Sequence, residues 1–154
     1  MTDPVRPAAQ RAPEPSPDER ELSPDEQELS PELLELAAKI FNLAREGDTA
    51  TLSAYVDAGV PVNLRTHKGD TLIMLAAYHG HPGTVAALLE RGADPDRPND
   101  RGQTPLAGAV FKAEREVVEA LLDGGADPAA GTPSAVDTAR MFGAEDLVTR
   151  FEGR

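Results

Sequence analysis

Glycines recur along this chain at a fixed step: Gly59, Gly92 and Gly125 are 33 residues apart, and Gly47 and Gly80 keep the same interval. The apolar pairs Tyr55-Val56, Leu88-Leu89 and Leu121-Leu122 follow the same step, as do Leu52, Val85 and Val118. A period of this length marks stacked supersecondary units, none of which buries its apolar face alone. Each unit reads as two short helices punctuated by glycine, because a glycine past a helix end adopts the left-handed conformation that closes the last turn. Thr71 and Thr104 stand where a hydroxyl caps a helix start, and Pro105 suits a first helical position. The fold class that follows is all-α: a solenoid of helix-turn-helix units.

The period does not extend to the N-terminus. Seven of the 14 prolines lie in the first 31 residues, among almost no apolar side chains beyond Val5, Leu22 and Leu29. Such a segment buries too little surface to offset the cost of ordering it, so residues 1 to 30 are expected to be a disordered acidic tail and 31 to 154 the folded domain. Eight acids and three arginines leave the tail at net −5. Within it a seven-residue unit starting Ser-Pro recurs at Ser16, Ser23 and Ser30, and Leu22, Leu29 and Leu36 share a heptad stripe. A continuous coiled coil fails, since Pro24 and Pro31 would each cost about 3 kcal/mol inside a helix. Only the third copy leads into a sustained apolar face (Leu33, Leu36, Ala37, Ile40, Leu43, Ala44), which predicts a first helix over 31–45. The two earlier copies read as a solvated tail in preference to a docking motif, and the three Ser-Pro steps as candidate phosphorylation sites.

Two stretches then carry a specific resemblance. Gly69-Asp70-Thr71-Leu72-Ile73-Met74-Leu75-Ala76-Ala77-Tyr78-His79-Gly80-His81, with Val85 to Asp96, resembles a nearly complete ankyrin repeat, and Gly102-Gln103-Thr104-Pro105-Leu106, with Val117 to Pro128, resembles a second. Leu36 to Asn63 resembles a degenerate first repeat, and Ser134 to Phe151 a terminal one stepped by 30 residues. The resemblance implies an ankyrin-type solenoid with short finger loops, in repeats of approximately 31–63, 64–96, 97–129 and 130–154. Met74 and Ala107 replace the family's histidine, Gly108 stands where Leu75 stands one repeat earlier, and Ala113 replaces a helix-ending glycine. These departures imply looser stacking and a third repeat that is the least stable. His81 falls where the family carries a structural histidine.

Composition narrows the function. Twenty-seven acidic and 15 basic residues give net −12, with no cysteine. That excludes disulfides, thiolate ligands and a cysteine nucleophile, and disfavours nucleic acid as a partner, since a negative surface repels phosphates. No run approaches the roughly 20 apolar residues of a membrane span, and no signal-like segment opens the chain, so a cytoplasmic, monomeric protein is expected. His67, His79 and Asp70 lack the support a zinc site needs, and Asp94, Asp96, Asp100 and Asp127 suit turns better than a calcium loop. No catalytic constellation, metal site or cofactor emerges; the chain is not expected to be an enzyme.

Surface remains. In the resembled fold, fingers and first helices form a concave groove, whose variable positions map onto His67, Lys68, Asp70, Tyr78 and His79, then Asp100, Arg101, Gln103, Phe111 and Lys112, then Met141. Tyr78, Phe111 and Met141 form an apolar row across three units, in a chain with only six aromatics. The competing reading folds Phe111 inward over Gly108; Phe142 is expected to close the end of the stack. The function expected is protein binding through this groove, with a partner bearing a basic patch. The alternative is a regulator of an enzyme or nucleic-acid-binding protein that acts through its acidic tail.

Overall fold

A computed structural model describes residues 30–153. The acidic tail and its first two Ser-Pro units, with the expectations attached to them, lie outside the described residues. Eight helices follow in order: α1 (Pro31–Glu46), α2 (Thr49–Asp57), α3 (Leu72–Tyr78), α4 (Pro82–Glu90), α5 (Pro105–Phe111), α6 (Arg115–Asp123), α7 (Ala135–Met141) and α8 (Glu145–Glu152). The odd-numbered helices stack side by side as an inner row, α1 on α3, α3 on α5 and α5 on α7. The even-numbered ones pack behind them, with α2 on α4 and α4 on α6.

Local chemistry sets these boundaries. The hydroxyls of Thr71, Thr104 and Ser134 accept from the amides of Met74, Ala107 and Asp137 at 3.1–3.2 Å, so each later inner helix starts on a side-chain cap. Ser30 does the same for α1, which runs one residue beyond the expected end, to Glu46. The later inner helices are only seven residues long, too short to persist alone, and they are held by burial. Every residue of α3 except Tyr78, and every residue of α5 except Phe111, is buried.

Leu33, expected on the buried stripe, is instead 46% exposed. By the 33-residue step the start of α3 corresponds to Lys39, so α1 begins about two turns earlier, and its first turns have no described helix level with them.

At Gly108 the structure resolves the two readings of Phe111. A Cβ built there would stand 3.0 Å from Met74 Cε and 3.5 Å from Tyr78 Cδ1. The thioether of Met74, itself buried, fills the space from the preceding repeat, so Phe111 is not drawn inward and is 50% exposed. His81 plays its structural role through an Nε2 contact to the Arg45 carbonyl at 2.8 Å, with its ring stacked where a side chain on Gly47 would be. Behind the inner row, Arg91 makes a bidentate pair with Asp57 (2.9 and 3.3 Å), Arg150 reaches Glu119 at 3.0 Å, and Arg115 pairs with Asp146. All are open to solvent, which screens them, so they contribute little to stability.

Candidate partner-binding groove

The groove is built on the fingers, and two polar side chains shape them. Thr66 Oγ1 accepts from the amides of Lys68 and Asp70 at 3.2 and 3.3 Å. One period later Asn99 Oδ1 accepts from Arg101 and Gln103 at 2.9 and 3.1 Å. Both are buried, as satisfied polar groups in turns should be. Neighbouring fingers are tied together: Asn99 Nδ2 donates to Asp70 Oδ1 at 2.8 Å, the Asp100 amide to the Lys68 carbonyl at 2.9 Å, and the Thr132 amide to the Gly102 carbonyl at 2.9 Å. These bonds hold Lys68, Arg101 and Gln103 in a fixed row.

Two clefts open between the fingers and the inner helices. The first, about 370 Å³, is lined by Tyr78, Arg101, Gln103, Phe111 and Met141, together with Ala107, Thr132, Pro133, Thr138 and Phe142. The second, about 300 Å³, is lined by Lys68, Asp70, Tyr78, His79, Arg101 and Gln103, with Arg45, Thr66, Met74 and Leu75. Tyr78, Arg101 and Gln103 belong to both, so the clefts are two chambers of one groove. Of the expected residues, His67, Asp100 and Lys112 line neither chamber. Lys112 sits on the rim with its ammonium 5.1 Å from the Tyr78 ring centre, a cation–π distance. His67 and Asp100 lie on the fingers, and Asp70 faces the groove while its carboxylate also serves the tie to Asn99.

The chambers differ in chemistry. The first is dominated by Phe111 (50% exposed), Phe142 (53%) and Met141 (68%), three of the four large hydrophobic side chains exposed among the described residues. Phe111 and Phe142 contact each other, with ring centroids 5.6 Å apart and planes at 47°. The expectation that Phe142 closes the core is therefore corrected. Phe142 is the residue that caps the C-terminus of α7, and the large buried side chains of the terminal repeat are instead Leu147 and Phe151 of α8.

The second chamber is polar. Its imidazole, His79, is held below the usual histidine range by partial desolvation first, then by the nearby charges of Arg45, His81 and Lys112. Gln103 Oε1 is buried with no hydrogen-bond partner among the described residues, an acceptor left over on the groove wall.

Sequence reasoning missed the cation excess. Lys68, Arg101 and Lys112 cluster on the groove side of a chain whose net charge is −12. Arg91, Arg115, Arg140 and Arg150 form ion pairs with carboxylates away from the groove. Among the described residues no group of three or more histidine and carboxylate side chains is placed to hold a metal ion, and no helix is long and apolar enough to cross a membrane.

A profile of ankyrin repeats in three copies matches residues 35–131, well over half of the chain. An ankyrin repeat protein of Pseudomonas aeruginosa is 55% identical over 40 residues, covering 26% of this chain and 23% of that one, so the chain spans about a quarter of the length of this curated relative. The helix pairs, the capped inner helices, the finger turns and the profile agree: the chain belongs to the ankyrin repeat family.

Proposed function

We propose that this chain is a non-enzymatic interaction module that grips a segment of a partner protein in the two-chambered groove. Ankyrin repeats generally mediate protein–protein interaction, which supports the class of activity. The observation that carries the site is the contiguous exposed cluster of Phe111, Met141 and Phe142 beside Tyr78. Aromatic anchors of this kind, rimmed by polar groups, are what a binding hot spot requires, and leaving them in water costs free energy that a partner recovers.

The groove's own charge sets what it takes. Lys68, Arg101 and Lys112 favour a segment that places acids beside an aliphatic or aromatic anchor. At the groove this reading replaces the basic-patch partner expected from net charge, since close contacts are governed by the charges nearest to them.

The test is selection of peptides from a random display library on the immobilised full chain, with a Tyr78→Ala/Phe111→Ala chain as control after circular dichroism shows that it folds. Selected peptides should combine Asp or Glu with Leu, Ile or Phe, and lose at least about tenfold in affinity for the control, the loss expected on truncating hot-spot anchors. Peptides that bind both chains equally would move the site off the groove.

A further inference from the structure

We infer that the polar chamber takes a phosphoryl group: the partner segment carries a phosphorylated serine or threonine whose phosphate lies among Arg45, Lys68, His79 and Arg101, with its apolar anchor about three residues away in the first chamber. The inference rests on the groove reading above and names the partner's chemistry.

Charge complementarity carries it. Four of the residues lining the polar chamber are basic, Arg45, Lys68, His79 and Arg101, against the single carboxylate of Asp70, which already accepts from Asn99 Nδ2. Counting Arg45, Lys68 and Arg101 as permanent cations, the lining holds an excess of two positive charges. A carboxylate ligand balances one of them. A phosphomonoester, mostly dianionic near pH 7, balances both, and its oxygens match the guanidinium fork.

The cations are also held in place. The Arg45 guanidinium, on the last turn of α1, donates to Asn42 Oδ1 at 2.8 Å, and Lys68 and Arg101 stand on fingers tied to each other. His79 registers the crowding, since after burial it is Arg45, His81 and Lys112 that depress its protonation. A dianion in the chamber offsets those three charges.

The repeat supplies the spacing. Moved 33 residues along, Arg45, Lys68, Asp70 and Tyr78 become Tyr78, Arg101, Gln103 and Phe111, so the apolar chamber is the polar one displaced by a repeat. Inner helices pack about 8–10 Å apart, a distance that three extended residues cover. An apolar anchor so close to the phosphate marks a peptide and not a free ion, and the net charge of −12 repels nucleic acid and anionic membrane surfaces.

The test uses the full chain and a synthetic peptide library with phosphothreonine fixed at its centre and random flanks. Bound peptides should carry Leu, Ile, Phe or Met about three residues from the phosphothreonine, and the best of them should lose at least about tenfold in affinity when threonine replaces it. Arg101→Gln and Lys68→Gln should each shrink that ratio, whereas Phe111→Ala should weaken both forms alike and keep it, with circular dichroism showing that each variant folds. The pKa of His79, followed by NMR, should rise on adding the phosphopeptide and not on adding its threonine twin.

A phosphate preference that survives Lys68→Gln/Arg101→Gln overturns the inference, because the phosphate then binds elsewhere. So does equal competition from inorganic phosphate, from phosphatidylcholine vesicles carrying phosphatidylinositol 4-phosphate, or from a single-stranded oligonucleotide. If both peptide forms bind equally and shift the amides of Tyr78 and Phe111, the phosphate inference falls and the groove reading stands. If neither these peptides nor those of the display selection shift them, both fall.

Discussion

Ala113 occupies the loop that joins α5 to α6 with φ at +59°, the only non-glycine residue with positive φ among the described residues. The three corresponding loops place glycine there, Gly47, Gly80 and Gly143, at φ 75°, 81° and 70°. In the left-handed region the Cβ crowds the following carbonyl, at a cost of about 1–2 kcal/mol that glycine escapes. Glycine gives back part of this through its larger unfolded-state entropy, about 0.5–1 kcal/mol. Ala113 is exposed, so removing its methyl sacrifices little packing. The balance predicts that Ala113→Gly stabilises the fold by about 0.5–1 kcal/mol, a rise of about 2–4 °C in Tm for a domain of this size. Gly143→Ala is the mirror experiment: no atom lies within 4 Å of the added methyl, so backbone strain alone should lower stability by a similar amount. Urea denaturation followed by circular dichroism measures both, with unchanged m-values showing that the folded and unfolded states keep their compactness. If Ala113→Gly is neutral or destabilising while Gly143→Ala destabilises, the strain assigned to Ala113 is wrong. Native-state hydrogen exchange localises the effect. In the unaltered chain the amides of α5 and α6 should exchange faster than those of α3 and α4, and Ala113→Gly should narrow the gap; equal protection in the unaltered chain would refute a weak third repeat.

Gly108→Ala adds helix propensity worth roughly 1 kcal/mol but pushes on Met74 Cε at 3.0 Å; because the thioether gives way easily, net stabilisation of about 0.5 kcal/mol is expected, and a loss above about 1 kcal/mol in urea would show that Met74 is rigidly held. His81→Ala removes the contact to the Arg45 carbonyl and the ring that covers Gly47, and should cost about 1–2 kcal/mol; an unchanged urea midpoint would reduce His81 to a bystander. His79 has its folded-state pKa below the unfolded 6.5, so the unfolded chain takes up the proton first. Its contribution to stability is complete above about pH 6.5 and declines as pH falls below that value until the folded ring is protonated as well. Urea midpoints measured from pH 8 to 5 should show this decline in the unaltered chain and a shallower one in His79→Gln; identical slopes would exclude His79 as the source.

The period of 33 was legible because glycine, capping hydroxyl and apolar pair each report backbone geometry directly, and the backbone repeats. Thr71 and Thr104 cap as read, and His81 is structural as read, through a bond to the Arg45 carbonyl that the sequence did not specify. What the pattern hid are consequences of contact between repeats. Gly108 reads as a void in its own repeat, and only the neighbouring helix shows Met74 filling it. Phe142 reads as an end cap because terminal repeats need one, yet Phe151 and Leu147 from α8 already supply it, and Phe142 is left to meet Phe111. Thr66 and Asn99 were passed over because their work, holding two amides each within a turn, leaves no periodic trace in a chain where the two positions carry different residue types.

Charge shows the same limit most sharply. A net charge of −12 is a sum over every side chain, whereas a ligand in the groove responds chiefly to charges within about a Debye length of 10 Å. The acids that dominate the sum are partly absorbed in structural work: Asp57, Glu119 and Asp146 pair with arginines of a neighbouring repeat behind the inner row, and Asp70 is tied to Asn99. Lys68 and Arg101, each on the finger of its own repeat, are left facing the groove together with Lys112 at the end of α5. Composition therefore reads the sign of the far field, which governs how charged molecules approach, and is silent on the near field at the groove.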